Sequence, residues 1–272
     1  MTESRIPRRT ATLVLAAASL GLLTSMPEAD AAPSAREIMD KVALTRKLDG
    51  SEATVKMTIE GGGSTRERSL SIATKLFDGG KTEKRVYTFL APADVKGTGV
   101  LVFDNDAAAD DVWIYVPAMR KTRRIVSSQR SQAFMGSEFS FGDLNIPALD
   151  DYTYNLVKEE SAGGETCFVI DVLPKDKAIA DSEGYAKKTY WVSKDKFVVR
   201  KGLYYDKDSK PLKELNTSDI KLLDDKNKRY RAMRMEMVNK QNGRKSTFES
   251  EKVTLAKDTN DEFFTTRYLE RP

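Results

Sequence analysis

The strongest constraint on the fold is an alternation of apolar and polar side chains that begins soon after residue 50. Ala53, Val55, Met57 and Ile59 alternate with charged or hydroxylated residues, and three glycines at 61–63 then turn the chain. Because successive side chains of a β-strand point to opposite faces, this two-residue period predicts a strand with one apolar face. Two similar segments follow before residue 91, so the sequence predicts a β-meander.

The later part of the chain continues the same pattern in longer and more charged segments. From Tyr152 onward these segments are separated by turn signals, among them 163–164, 206–211 and 241–243. Their spacing predicts a continuous antiparallel sheet with one apolar side and one hydrated side.

Helices are predicted only at the two ends of this region. A capping box at 34–37, followed by apolar residues at helical spacing, predicts an amphipathic helix that continues to about Arg46. A second capping box at 259–262 predicts a short closing helix that carries Phe263 and Phe264. The fold class is therefore mainly β, with an N-terminal helix.

Two of the predicted strands are apolar on both faces, namely 100–103 (VLVF) and 112–116 (VWIYV). Such strands are covered on both sides. The N-terminal helix explains the cover on one side, and the other side requires a lid, a second layer or a ligand. Ordinary core packing and ligand contact both remain open for these strands.

The start of the chain predicts a signal peptide over residues 1–31. Basic residues precede an apolar run at 11–23, which is shorter than the roughly 20 residues that a membrane-spanning helix needs. We expect cleavage after Ala31, and an arginine pair in the leader leaves both general secretory and twin-arginine export open. The remaining residues, 32–272, suit a single domain, since β domains commonly reach ~200–250 residues. The expected location is the periplasm.

The composition excludes several kinds of catalytic site. The chain has no histidine, so Ser-His-Asp and Cys-His sites and histidine-ligated zinc cannot form. The single cysteine, Cys167, lies in an apolar run, which predicts a buried and unreactive thiol. No pair of carboxylates is placed for acid–base chemistry. We therefore expect no enzymatic activity and no cofactor.

Four aspartates crowd one predicted hairpin: Asp104, Asp106, Asp110 and Asp111. Oxygen-rich loops suit calcium, but this spacing lacks the glycine and the terminal glutamate of the twelve-residue calcium loop. We therefore predict a solvated hairpin tip and no metal site.

A basic cluster follows the second of the strands that are apolar on both faces. Its members are Arg120, Lys121, Arg123, Arg124 and Arg130. Export makes nucleic acid an unsuitable partner, so the functional interpretation is a surface for a phosphate head group or an acidic protein. A solvated strand edge is the structural alternative, and the sequence leaves both open.

The segment at 134–144, FMGSEFSFGDL, carries five large apolar side chains but follows neither the helical nor the strand period. Such side chains must leave water, which predicts a lid loop over the open side of the sheet, near the strand of Trp113 and Tyr115. Gly136 and Gly142 are candidate hinges. A fixed plug and a movable gate remain alternatives.

A late strand places three methionines on one face, and methionine adapts well to flexible apolar partners. Core filling is the alternative role for each of them. Together with the lid loop and the apolar strand, they complete the set of predicted ligand-binding residues. This set is Trp113, Tyr115, Phe134, Met135, Phe139, Phe141, Met233, Met235 and Met237.

Several of these segments resemble the outer-membrane lipoprotein-sorting protein family, the LolA-like periplasmic carriers. The resembling stretches are 95–101, 112–117, 121–125, 134–144 and 263–269, of which 134–144 is the most specific. The resemblance implies an incompletely closed β-barrel wrapped around helices, with an apolar interior that takes lipid. The segment at 134–144 is an insertion relative to the best-understood carrier, so no individual ligand-contacting arginine is transferred.

Two functional hypotheses follow. The first is a periplasmic carrier or chaperone that binds the acyl chains of lipids or lipoproteins in an apolar cavity, alongside an inner-membrane exporter or an outer-membrane acceptor. The second is an adaptor or sensor that docks on a membrane transporter or signalling protein without carrying lipid, as a related sheet does in a regulator of the envelope stress response. Both hypotheses expect a monomer that binds neither nucleic acid nor metal.

Overall fold

The computed structural model describes residues 1–2, 32–106, 108–145 and 148–271. Residues 3–31, which make up nearly all of the predicted signal peptide and include the residue before its cleavage site, lie outside the described residues. Residues 33–272 form one compact unit, and all that follows concerns this unit. Within the described part of the chain, every helix is too short or too polar to cross a membrane.

The described residues form thirteen strands and three α-helices. The strands are β1 Gly50–Gly61, β2 Ser64–Phe77, β3 Thr82–Ala91, β4 Gly99–Asn105, β5 Asp111–Val116, β6 Lys121–Ile125, β7 Tyr152–Ala162, β8 Glu165–Pro174, β9 Lys187–Ser193, β10 Val199–Tyr205, β11 Pro211–Asp224, β12 Arg229–Asn239 and β13 Lys245–Leu255. The helices are α1 Ala35–Arg46, α2 Lys177–Glu183 and α3 Thr266–Leu269.

All thirteen strands belong to one antiparallel sheet in the order β6-β5-β4-β3-β2-β1-β13-β12-β11-β10-β9-β8-β7. The chain therefore runs from the middle of the sheet to one edge, resumes at the opposite edge, and returns to the middle, where β13 pairs with β1. Within the described residues β6 and β7 do not pair with each other, so the barrel is incomplete. The predicted fold class is confirmed.

Helix α1 begins as predicted, because Ser34 and Glu37 form a reciprocal capping box. Its apolar face, which includes Ile38, Met39 and Val42, is buried in the principal core on the inner side of the sheet. The helix packs against β12 and β7. It therefore lies against strands that are remote in sequence and occupies part of the concave interior.

The outer face of β3, β4 and β5 carries a second, smaller core. Here Val86 and Leu101 pack against Phe264 and Leu269 near the end of the chain. The closing element differs from the single predicted helix: it is a 3-10 turn over Asp261–Phe264 followed by α3. These C-terminal residues, called the C-terminal cover below, form the second layer over β4 and β5. Ordinary packing therefore explains why both faces of these two strands are apolar.

Residues 126–151 connect β6 to β7 and are called the crossing segment below. Because β6 and β7 are opposite edges of one curved sheet, this connection has to traverse its open side. Phe134, Phe139 and Phe141 are buried there in the principal core. The Phe134 N–H donates to the Phe139 carbonyl at 2.7 Å, which folds the segment back on itself. The crossing segment thus covers the open side as an ordered loop.

Cys167 is fully buried, as predicted, and packs with Val169 and Trp191 in a third apolar cluster. Burial raises the pKa of its thiol, which keeps the thiolate population low. The residue therefore behaves as a small apolar side chain.

Candidate functional site

A cavity of about 300 Å³ lies between the concave face of the sheet, α1 and the crossing segment. Most of its wall is apolar; Val42 of α1, Val55 of β1 and Phe248 of β13 are examples. Ligand-binding cavities generally measure about 300–1,000 Å³ and have apolar walls with a few polar groups. The cavity is therefore large enough for a ligand at the lower end of that range.

The three predicted methionines of β12 all line this cavity. Met237 is fully buried, Met233 is nearly so, and Met235 is 37% exposed. They share one face of the strand because they are two residues apart. Their thioether side chains form a stripe along this face, which we call the methionine stripe, with Met235 as its exposed member. The three residues therefore lie on the cavity face of the strand, and their contact with a ligand stays a prediction.

Of the four predicted lid residues, only Phe139 lines the cavity. Its ring meets Phe248 edge to face, with centroids 4.8 Å apart. Phe134 and Phe141 lie behind it and contact each other at 5.6 Å, and Met135 packs partly buried against the same core. Of the lid side chains, Phe139 therefore borders the cavity, and the other three pack behind its ring in the core.

Trp113 and Tyr115 lie on the opposite face of the sheet from the cavity. Their neighbours Val112 and Ile114 point into the principal core, so strand alternation directs both aromatic side chains outward. Trp113 packs on Phe103 with centroids 4.9 Å apart, next to the C-terminal cover. The lid therefore packs near this strand, as predicted, but against its inner face, and neither Trp113 nor Tyr115 lines the cavity.

Buried polar contacts fasten the middle of the crossing segment to β12 and β13. Glu138 forms an ion pair with Arg244 at 2.9 Å and accepts a hydrogen bond from Asn239 at 3.0 Å. The Glu138 N–H donates to the Ser246 hydroxyl at 3.0 Å. Glu138 is only 7% exposed, and these partners compensate its charge, because an unpaired buried charge is costly.

A second set of contacts holds the end of the segment that follows Phe141. Asp143 accepts a hydrogen bond from the Tyr185 hydroxyl at 3.0 Å and lies 3.8 Å from the Lys213 ammonium. On the opposite side, the Asn145 amide donates to Asp110 at 2.7 Å. Because the middle of the crossing segment and its part after Phe141 are both anchored, the contacts favour a fixed plug over a gate hinged at Gly136 and Gly142.

Arg130, predicted to lie on a basic surface, instead belongs to a buried ion cluster. It contacts Asp110 at 3.1 Å and Glu183 at 3.3 Å, and Glu183 also contacts Lys188 at 3.2 Å. Burial lowers the pKa of Arg130, but attraction to Glu183 and Asp110 outweighs it and the net shift is upward. The cluster joins the crossing segment to α2 and β9, so Arg130 has an anchoring position.

The other four basic residues remain at the surface. Arg120, Lys121 and Arg123 are exposed on or beside the edge strand β6, and Arg124 is exposed but paired with Asp111. Met119 and Val126, at either end of the strand, are also exposed, at 58% and 52% respectively. This edge therefore combines positive charge with apolar side chains.

The acidic hairpin is not a simple solvated tip, contrary to the prediction. Asp104 is buried beside Arg85, and Asp110 is held by Arg130 and Asn145. The remaining two aspartates also pair with cations, Asp106 with Lys47 and Asp111 with Arg124. In the described part of the chain there is no group of three acidic or sulfur ligands that could hold a metal.

The sequence interpretation missed a set of charged residues in the cavity wall, which includes Arg46, Arg85, Lys188 and Arg231. Arg85 pairs with Asp104 and donates to the Leu144 carbonyl, but its Nε has no hydrogen-bond partner among the described residues. The position of Arg231 in the cavity wall was predictable from the sequence. It is two residues before Met233 and so lies on the same strand face as the three methionines.

Three solved structures show the same architecture. A putative outer membrane lipoprotein-sorting protein domain from Vibrio parahaemolyticus is 28% identical, with a TM-score of 0.80 over 87% of this chain and 98% of that chain. A DUF1329 family protein from Desulfovibrio piger is 27% identical, with a TM-score of 0.79 over 86% and 97%. A LolA superfamily protein from Nitrosomonas europaea, 21% identical, has a TM-score of 0.66 over 87% and 100% and shows the fold alone.

Sequence comparison adds one match. A family model described as "Uncharacterized protein" covers residues 81–271, which is most of the sheet. No curated protein matches the chain.

Proposed function

We propose that the chain, which belongs to the family matched over residues 81–271, is a non-enzymatic periplasmic carrier of acyl chains. Its likeness to a putative outer membrane lipoprotein-sorting protein domain and to a DUF1329 family protein supports this proposal. Export would remove the signal peptide over residues 1–31 and leave one domain over 32–272. The cargo would be a lipid or a lipoprotein whose acyl chain enters the cavity.

The observation that carries this proposal is the apolar cavity of about 300 Å³ beneath the anchored crossing segment. Each methylene transferred from water contributes ~0.8 kcal/mol, so about ten methylenes would contribute roughly 8 kcal/mol. That gain corresponds to micromolar affinity before the cost of ordering the chain is subtracted. Desolvation can therefore supply useful affinity without covalent chemistry.

The same cavity favours a carrier over an adaptor. An adaptor that docks through its surface needs no internal space, and its sheet would be filled by its own side chains. Here the methionine stripe and Phe139 border open volume instead. The exposed basic edge at Arg120, Lys121 and Arg123 is then a contact surface for an inner-membrane exporter, an outer-membrane acceptor or anionic head groups.

Displacement of a fluorescent fatty acid, together with native mass spectrometry of protein isolated from the periplasm, tests the proposal. Ala53 lines the cavity, and Ala53→Leu would occupy part of its volume. The neighbouring residue on the other face of β1 supplies the control variant, Thr54→Leu. We expect co-purifying lipid, and weakening of about tenfold, equivalent to ~1.4 kcal/mol, for the first variant alone. Protein that is empty and ignores the probe would contradict the carrier function.

A further inference from the structure

Building on the carrier function, we propose that the cargo is an amphiphile with an anionic head group, and that the cavity binds both of its parts. The head group, a carboxylate or a phosphate, lies among Arg46, Arg85 and Arg231. The acyl tail extends from there along the methionine stripe of β12.

The first support is the order of side chains along one strand face. Arg231 and the three methionines at 233, 235 and 237 are two residues apart, and all four line the cavity. At about 3.3 Å per residue, the distance from the guanidinium end of this stripe to its last thioether is roughly 20 Å along the strand. A cation followed by three flexible apolar side chains matches the polarity of a charged amphiphile.

The second support is the local charge balance. Arg46, Arg85 and Arg231 come from α1, β3 and β12, and among the described residues they form ion pairs with two carboxylates, those of Asp104 and Glu83. Asp104 pairs with Arg85, and Glu83 lies 3.8 Å from Arg231 across the concave interior. Arg46 forms no ion pair with a described residue. The other charged groups near the cavity pair among themselves: Asp110 and Glu183 with Arg130 and Lys188, and Asp143 with Lys213. The described residues at this end of the cavity therefore carry one positive charge in excess.

The pKa of Arg231 is lowered, mainly by burial and in smaller part by the neighbouring cations. Glu83 opposes the shift, and repulsion from Arg46 and Arg85 adds to it. A cation whose charged form is disfavoured in this way is stabilised by an incoming anion. Arg85 adds a donor for such an anion, because its Nε has no partner among the described residues although the side chain is buried.

The degree of exposure also fits a head group at this end. The Arg231 side chain is 26% exposed and Met235 is 37% exposed, whereas Met237 is fully buried. Exposure does not fall steadily along the stripe, since Met233 is 6% exposed, but the stripe begins at a partly hydrated cation and ends at a fully buried methionine. An anionic head beside this cation keeps part of its hydration while the tail leaves water, which limits the cost of burying the charge.

Calorimetric titration with laurate, lauryl alcohol and lauryl-trimethylammonium tests this inference, because the three probes share one alkyl chain. We expect laurate to bind about tenfold to a hundredfold more tightly than the alcohol, as charge-assisted hydrogen bonds allow. The cationic probe should bind most weakly. Arg231→Gln should reduce the preference for laurate over the alcohol severalfold.

Arg234→Gln is the matched control, since Arg234 lies on the opposite face of β12 and pairs with Glu249. It should keep the full preference for laurate. Arg46→Gln, at the last turn of α1, should also lower the preference for laurate. It tests the inference independently if Arg231→Gln does not fold. Equal binding of laurate and alcohol by the unaltered protein would overturn the inference and leave the carrier function standing. Failure of all three probes to bind would overturn both.

Discussion

Truncation of Phe134 to alanine should separate the contribution of the crossing segment to stability from the contribution of the cavity to ligand binding. Phe134 is fully buried and its ring contacts four others. These are Tyr87, Phe89, Phe141 and Phe248, at centroid distances of 5.9, 6.0, 5.6 and 6.3 Å. Such a truncation costs about 3–5 kcal/mol, from the lost transfer free energy and the new void.

The expected loss of stability is large enough to measure by calorimetry. For a domain of this size, each kcal/mol lowers Tm by roughly 2–4 °C, so Phe134→Ala should lower it by about 6–20 °C. Phe134 does not line the cavity, and the affinity of the folded protein for laurate should change by less than about threefold, within ~0.7 kcal/mol. A loss of stability below ~1 kcal/mol would refute the burial of the crossing segment.

Phe139→Ala should be compared with Phe134→Ala, because Phe139 is also buried but, unlike Phe134, lines the cavity. It should destabilise the protein as well and, unlike Phe134→Ala, change laurate affinity by about tenfold or more, which is ~1.4 kcal/mol. If both variants changed affinity equally, the crossing segment would act as one moving gate, contrary to its anchoring contacts.

Two further predictions concern charged residues. Glu183→Gln leaves Arg130 and Lys188 buried beside a neutral group, so the free energy of unfolding measured in urea should fall by about 3–5 kcal/mol; a fall below about 1 kcal/mol would contradict the buried cluster. Lys121→Glu combined with Arg123→Glu should slow transfer of a bound fluorescent fatty acid to anionic vesicles and leave its equilibrium affinity unchanged. Unaltered transfer rates at low salt would refute a role for the β6 edge.

The sheet and its terminal elements were largely predictable because their signals are local. The alternation at 53–59, the glycine turns and the capping box of α1 depend on neighbouring residues only, and each appears in the structure as predicted. The mainly β fold class followed from these signals, and the open barrel was implied by the family resemblance.

What the sequence could not supply was the pairing of distant segments. Both faces of Trp113's strand looked equally apolar, and only the tertiary fold shows that the C-terminal cover takes one face and the crossing segment the other. Arg130 looked like part of a surface strip because its partners Asp110 and Glu183 are 20 and 53 residues away. The charged end of the cavity was missed for the same reason, since its arginines come from three remote elements.

A crystal structure of the protein with a fatty acid brominated at its terminal carbon would test the central claim most directly. Anomalous scattering would locate the bromine without any assumption about the rest of the ligand. The account predicts a bromine peak in the dry part of the cavity beside Met237 and Phe248, with the carboxylate toward Arg231. A bromine peak confined to the outer surface, with protein side chains filling the cavity, would contradict it.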